Sequence, residues 1–177
     1  MNQIQPLYEN TPNDKKPTLS RKRKLKTILF FLFFVYLVGL IYVTLFAWNY
    51  GASLGPVGPG GRNYNLIPFR SIYRIAVYSP TIVDPIKILI GNIVLFIPFG
   101  FLAPIAVKVL RKSMIVTTLL GMLLSLAIET SQFLFTYRVA NVDDVILNTL
   151  GTLIGVLLVK ICFFINSKIY FFPIEKR

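Results

Sequence analysis

Four long apolar runs divide the chain: Thr27–Tyr50, Ile86–Val107, Met114–Phe135 and Val145–Ile165. Each approaches the ~20 residues that an α-helix needs to cross a hydrocarbon core about 30 Å thick. The pattern predicts an all-α, polytopic membrane protein. Its four transmembrane helices should cover about 27–50, 86–107, 114–135 and 143–165, within a domain spanning 27–166. Residues 1–26 are polar and basic and contain Pro6, Pro12 and Pro17, so they read as a disordered tail. Residues 167–177 read as a second, shorter tail. The first run is longer than the apolar stretch of a signal peptide and no small-residue cleavage site follows it, so it is expected to stay as a span.

Two segments depart from a plain span. In "GNIVLFIPFGFLAP" the prolines Pro98 and Pro104 lack amide donors, which predicts a kinked second helix with the carbonyls of Val94 and Gly100 released. Between the first two spans, "GASLGPVGPGGRNYN" has the Gly and Pro density of a flexible loop. The stretch after it, "NLIPFRSIYRIAVYS" (Asn65–Ser79), is too apolar for a free loop and too basic to span, so an outer interfacial or re-entrant segment is expected. Trp48 and Tyr50 at one interface, and Tyr170, Phe171 and Phe172 at the other, have the amphipathic rings that favour the headgroup region.

Charge orients these elements. The chain is 55% hydrophobic yet carries a formal net charge of +12. Fourteen of its 19 Lys and Arg residues precede the first span, lie at Lys108, Arg111 and Lys112, or fall in Lys160–Arg177; Arg62, Arg70, Arg74, Lys87 and Arg138 occupy the other side. That asymmetry predicts cytoplasmic amino and carboxyl termini, with "RKRKLK" against anionic headgroups. It also accounts for the basic excess without nucleic acid, which is not expected as a partner. With no histidine and a single cysteine, Cys162, a Ser–His–Asp arrangement, an internal disulfide and a zinc centre all lack their ligands. No metal or cofactor is expected.

The polar residues inside the spans are the candidate chemistry. Glu129 lies six residues before the outer end of the third helix, Asn148 five residues after Asp143, and Asn92 six residues into the second helix. At about 1.5 Å per residue all three fall roughly 8–9 Å below the outer surface. Gly121, Ser125, Glu129 and Gln132 share one stripe of the third helix; Asp144, Asn148, Gly151 and Gly155 share one of the fourth. Packed antiparallel, these stripes would set glycine against small residues at the inner end and amide against carboxylate at the outer end. A charged residue at mid-bilayer costs roughly 2.5–3.5 kcal/mol, so Glu129 should face protein or water. The bland alternative is a protonated glutamate tying helices together, with Gln132 and Asn148 as further glue. Above this layer, "TYRVANVDDVILN" brings Arg138 near Asp143 and Asp144. One aspartate is explained by capping the fourth helix; two with an arginine suggest an outward polar pocket able to hold an anionic group, a sugar or an ammonium. The candidate ligand-binding set is Asn65, Asn92, Glu129, Gln132, Arg138, Asp143, Asp144 and Asn148.

These residues lie in "NLIPF" (Asn65–Phe69), "GNIVLFIPFGFL" (Gly91–Leu102), "SLAIETSQF" (Ser125–Phe133) and "VDDVILNTLGTLIG" (Val142–Gly155), and by this ordered set the sequence resembles the VanZ-like family of bacterial membrane proteins. The resemblance covers about Asn65–Gly155, roughly half the chain. It implies a multi-pass protein of the cytoplasmic membrane associated with resistance to teicoplanin-type lipoglycopeptides, and it assigns no catalytic roles. Matched positions are Asn65, Pro68, Asn92, Glu129, Gln132, Asp144 and Asn148. Where the family pattern leads one to expect an aspartate three residues before Asp144, this chain has Asn141, which weakens a divalent-cation role for the acidic cluster. The leading expectation is an outward pocket that engages membrane lipid, a lipid-linked cell-wall precursor or the lipoglycopeptide. Two rivals are an enzyme acting on a lipid headgroup, with Glu129 or Asp144 as acid or base and Arg138 on phosphate, and a proton-linked permease.

Overall fold

A computed structural model describes residues 19–47, 64–136 and 138–169. The expectations for Trp48, Tyr50, the Gly/Pro-rich stretch as far as Asn63, Tyr170–Phe172 and most of both tails lie outside the described residues. Four helices are long and apolar enough to cross a membrane, over Arg23–Phe46, Pro85–Ala106, Met114–Phe135 and Val142–Ile165. The protein is a multi-pass, all-α membrane protein.

The first helix, α1 (Leu19–Ile41), starts eight residues before the apolar run and takes in the basic "RKRKLK". Lys and Arg are good helix formers, so the helix continues past the hydrocarbon boundary until the composition changes. It ends in a wide π turn, Tyr42–Phe46, closed by the Ala47 amide on the Tyr42 carbonyl at 2.9 Å. A two-residue strand β1 (Tyr64–Asn65) and a short helix α2 (Arg70–Tyr78) precede the second span, α3 (Val83–Ala106). The segment expected at the interface is therefore partly helical. A 3-10 turn, Leu110–Lys112, leads into α4 (Met114–Phe135), which Ser113 caps by accepting from the Val116 amide at 3.3 Å. A second two-residue strand, β2 (Ala140–Asn141), runs parallel to β1 with Tyr64 opposite Ala140 and Asn65 opposite Asn141. The last helix, α5 (Val142–Ile169), follows at once.

α3 runs without interruption through Pro98 and Pro104. Next to the Val94 carbonyl that Pro98 deprives of a donor, the Leu95 carbonyl accepts the Tyr36 hydroxyl of α1 at 2.9 Å. A phenol and an acceptor thus satisfy each other where water is scarce. The core between α1, α3 and α4 is built from Leu40, Phe96, Phe99, Ala103 and Ile128. The outward faces of the spans are apolar and exposed, as at Phe31, Phe34, Ile90, Leu123 and Phe164, which suits acyl chains.

Glycine sets the closest helix approach. A Cβ on Gly151 or Gly155 would lie 2.1 Å from the Ile93 or Ile97 carbonyl oxygen of α3, and one on Gly100 would lie 2.0 Å from the Thr152 carbonyl oxygen. The stripe expected to join the last two spans is therefore divided. Gly151 and Gly155 receive α3, whereas α4 meets α5 through Gly121 against the Thr152 side chain and Ser125 against Asn148. Steps of three and four residues leave two flanks on one stripe, and α5 lies in the groove between α3 and α4 so that each flank finds a different neighbour.

Candidate functional site

The site grows from one asparagine. β1 and β2 place Asn65 beside Asn141, and the Asn65 Nδ2 donates to Asn141 Oδ1 at 3.0 Å and to Ser71 Oγ at 2.9 Å. Asn65 Oδ1 accepts the Ile67 amide at 3.2 Å, an Asx turn that bends the chain ahead of Pro68. Phe69 then takes a left-handed conformation, φ 64°, and α2 begins. Asn141 Oδ1 also accepts the Ser71 hydroxyl and the Asp143 amide, both at 3.2 Å. Its Nδ2 donates to Asp144 Oδ1 at 3.1 Å, and its backbone amide donates to Glu129 Oε2 at 2.7 Å. Glu129 and Asp144 are therefore joined through the two N–H donors of a single residue.

Asp143 is fully buried and faces the other way. Its Oδ1 accepts the Phe69 amide at 2.5 Å; its Oδ2 accepts the amides of Ser71 at 2.7 Å and Ile72 at 3.2 Å. These are orphan donors at the start of α2, so a carboxylate in the first turn of α5 caps α2 while lying at the positive end of its own helix. Capping was expected of one aspartate, and its recipient is a segment more than 70 residues earlier in the chain.

The remaining candidates separate into two further groups. Gln132 Nε2 and Arg138 Nη1 converge on the Thr44 carbonyl, at 2.9 and 2.5 Å, and Arg138 Nη2 donates to the Ala47 carbonyl. Both side chains fasten the π-turn end of α1, where helix carbonyls lack partners, to the end of α4. Deeper, Asn148 is buried and donates to Ser125 Oγ at 2.8 Å, while Thr152 Oγ1 donates to the Asn148 carbonyl at 3.0 Å. Asn92 is buried on α3 beside Ile93, whose carbonyl faces Gly151. The structure thus brings Asn65, Glu129, Asp143 and Asp144 into one hydrogen-bonded junction around Asn141, and places Gln132 with Arg138, and Asn148 with Ser125, beside it. Members outside the candidate set are Asn141, which the sequence marked only as a departure from the family pattern, the Ser71 hydroxyl, the amides of Phe69, Ser71 and Ile72, and the carbonyls of Thr44 and Ala47. Backbone groups carry no residue-type signal, and Ser71 is one of many serines until the strand pairing places it.

A surface cavity of about 560 Å³ lies away from this junction, at the C-terminal end of α2, lined by Arg74, Ile75, Tyr78, Ser79 and Pro80.

The VanZ/LLP1 family model matches residues 33–164, from the middle of α1 almost to the end of α5. Protein VanZ of Enterococcus faecium is 32% identical over 121 residues, 68% of this chain and 66% of that protein. The match therefore spans just under two thirds of the relative's length. No solved structure matches the chain.

Proposed function

The chain belongs to the VanZ/LLP1 family, and from that premise we propose that it lowers susceptibility to teicoplanin-type lipoglycopeptides by binding or altering a cell-envelope ligand at the Asn141 junction. The observation that carries this reading is the sharing of Asn141 by Glu129 and Asp144. Helix packing alone would be served by amides and hydroxyls, as Asn148 with Ser125 illustrates, without two carboxyl groups near the ends of membrane spans. Polar groups converging at that depth can hydrogen-bond a sugar, a peptide or an ammonium of a membrane-anchored molecule. In this reading the termini are cytoplasmic and the junction faces outward, in keeping with the charge asymmetry.

Expression of the full chain in a teicoplanin-susceptible Gram-positive host tests the proposal. Wild type should raise the inhibitory concentration above that of the empty vector, and Glu129→Gln or Asp144→Asn should return it toward the vector value at equal membrane abundance. Unchanged susceptibility in all three strains would remove the proposal.

The paired carboxylates also favour a second reading, an enzyme that modifies a lipid headgroup or a lipid-linked precursor, with one carboxyl group as acid and the other as base. Mass spectrometry of lipid extracts decides it. A headgroup species that depends on Glu129 supports catalysis, and identical extracts with and without the protein exclude it.

A further inference from the structure

The face of α2 that turns away from the junction is exposed and basic. Ser71, Ile72 and Ile75 are half-buried against the rest of the protein, whereas Arg70, Tyr73, Arg74, Val77 and Tyr78 are exposed. Arg70 and Arg74 are four residues apart and share one strip; Tyr73 and Val77 share the neighbouring strip. Among the described residues neither guanidinium has a hydrogen-bond or ion-pair partner, and α2 itself contains no acid. The acids nearest its start turn inward: Asp143 is spent on the α2 amides, and Asp144 and Glu129 accept from Asn141. The turn before α2 exposes Leu66 at 70%, Ile67 at 56% and Phe69 at 61%, so an apolar edge continues beyond the cationic one. α2 packs against α3 and α5 and is held at its start by Asp143 in the first turn of α5, so it sits beside the ends of two candidate spans.

We infer that α2 is a binding site for the phosphate of anionic lipid headgroups, with Arg70 and Arg74 taking the phosphate and Leu66, Phe69, Tyr73 and Val77 lying on the acyl chains below it. Guanidinium forks match phosphate oxygens, and aromatic and aliphatic side chains beside them favour an amphipathic partner over a soluble anion. The cavity at Arg74, Tyr78 and Ser79 offers the headgroup a recess next to that charge. Asp143 fixes the platform, because it holds the first turn of α2 to α5. The site is separate from the Asn141 junction and does not depend on the resistance reading; the proposed topology only names the leaflet as the outer one.

Native mass spectrometry on the purified full chain, offered equimolar phosphatidylglycerol and phosphatidylcholine, tests the inference. Wild type should retain phosphatidylglycerol preferentially, and the preference should fall about fivefold for each arginine removed in Arg74→Gln and Arg70→Gln/Arg74→Gln. Arg70→Lys/Arg74→Lys, which keeps the charge, should keep most of it, and this pair carries the comparison against wild type if the glutamine pair does not fold. Arg111→Gln/Lys112→Gln, between α3 and α4, should leave it unchanged. No preference in wild type, an equal preference in Arg74→Gln, or loss in the Arg111/Lys112 pair alone would overturn the inference. Displacement of the lipid by millimolar inorganic phosphate would assign the site to free phosphate and overturn the lipid claim.

Discussion

Asn141 works here because it is an amide. Its carbonyl oxygen accepts from Asn65, Ser71 and the Asp143 amide while its Nδ2 donates to Asp144, a division that an aspartate at the same position cannot reproduce. Asn141→Asp should therefore destabilise the protein by about 1–3 kcal/mol through a lost donor and a fourth carboxyl group, measured by thermal unfolding in detergent. An unfolding midpoint equal to that of wild type would show that Nδ2 is not needed. Asp143→Asn should act at a distance: the amides of Phe69, Ser71 and Ile72 lose charge-assisted acceptors worth roughly 1.5–3 kcal/mol each at most. Hydrogen exchange should rise at Phe69–Ile72 well before it rises in α5, and equal protection in mutant and wild type would contradict the capping assignment. Sequence singles out Glu129 because a carboxyl group in an apolar span is costly, and Asp143 and Asp144 because two acids beside an arginine exceed what capping one helix needs. It does not show the partners of Glu129 and Asp143, since these are backbone amides positioned by a two-residue strand pair too short to carry a pattern.

At the scale of elements the glycines make the sharpest distinction. Gly151 and Gly155 lie against α3 carbonyl oxygens that cannot move without unwinding the helix, whereas Gly39 and Gly91 have nothing within 4 Å of an added Cβ. Gly151→Ala and Gly155→Ala should each lower the yield of folded protein severely, while Gly39→Ala and Gly91→Ala should be neutral or stabilising by about 0.5–1 kcal/mol. Size-exclusion profiles and unfolding midpoints of the four variants check this; tolerance at Gly151 would mean that α3 and α5 can separate. The spans themselves were legible as apolar runs because lipid demands ~20 such residues in succession. The division of the α5 stripe between two neighbours was not, because small residues permit close approach without naming the helix that approaches. The early start of α1 was missed for a related reason: hydropathy ends at the hydrocarbon boundary, but helix propensity does not.

For the whole molecule, charge and hydropathy together predict an arrangement that a single labelling experiment checks. In a Cys162→Ala background, Tyr78→Cys should react with an impermeant maleimide added to intact cells, and Val109→Cys should react only after permeabilisation. Both positions are exposed, at 72% and 70%, so reactivity reports sidedness rather than burial. The reverse pattern would place the Asn141 junction and the α2 face on the cytoplasmic side and remove the proposed route to an external antibiotic. The central claim, that Glu129 and Asp144 act as one unit through Asn141, is tested most directly by a double-mutant cycle in teicoplanin inhibitory concentration. With wild type, Glu129→Gln, Asp144→Asn and the double variant at equal membrane abundance, the double should be no more susceptible than the weaker single variant. Additive losses from the two substitutions, or full protection in either single variant, would contradict it.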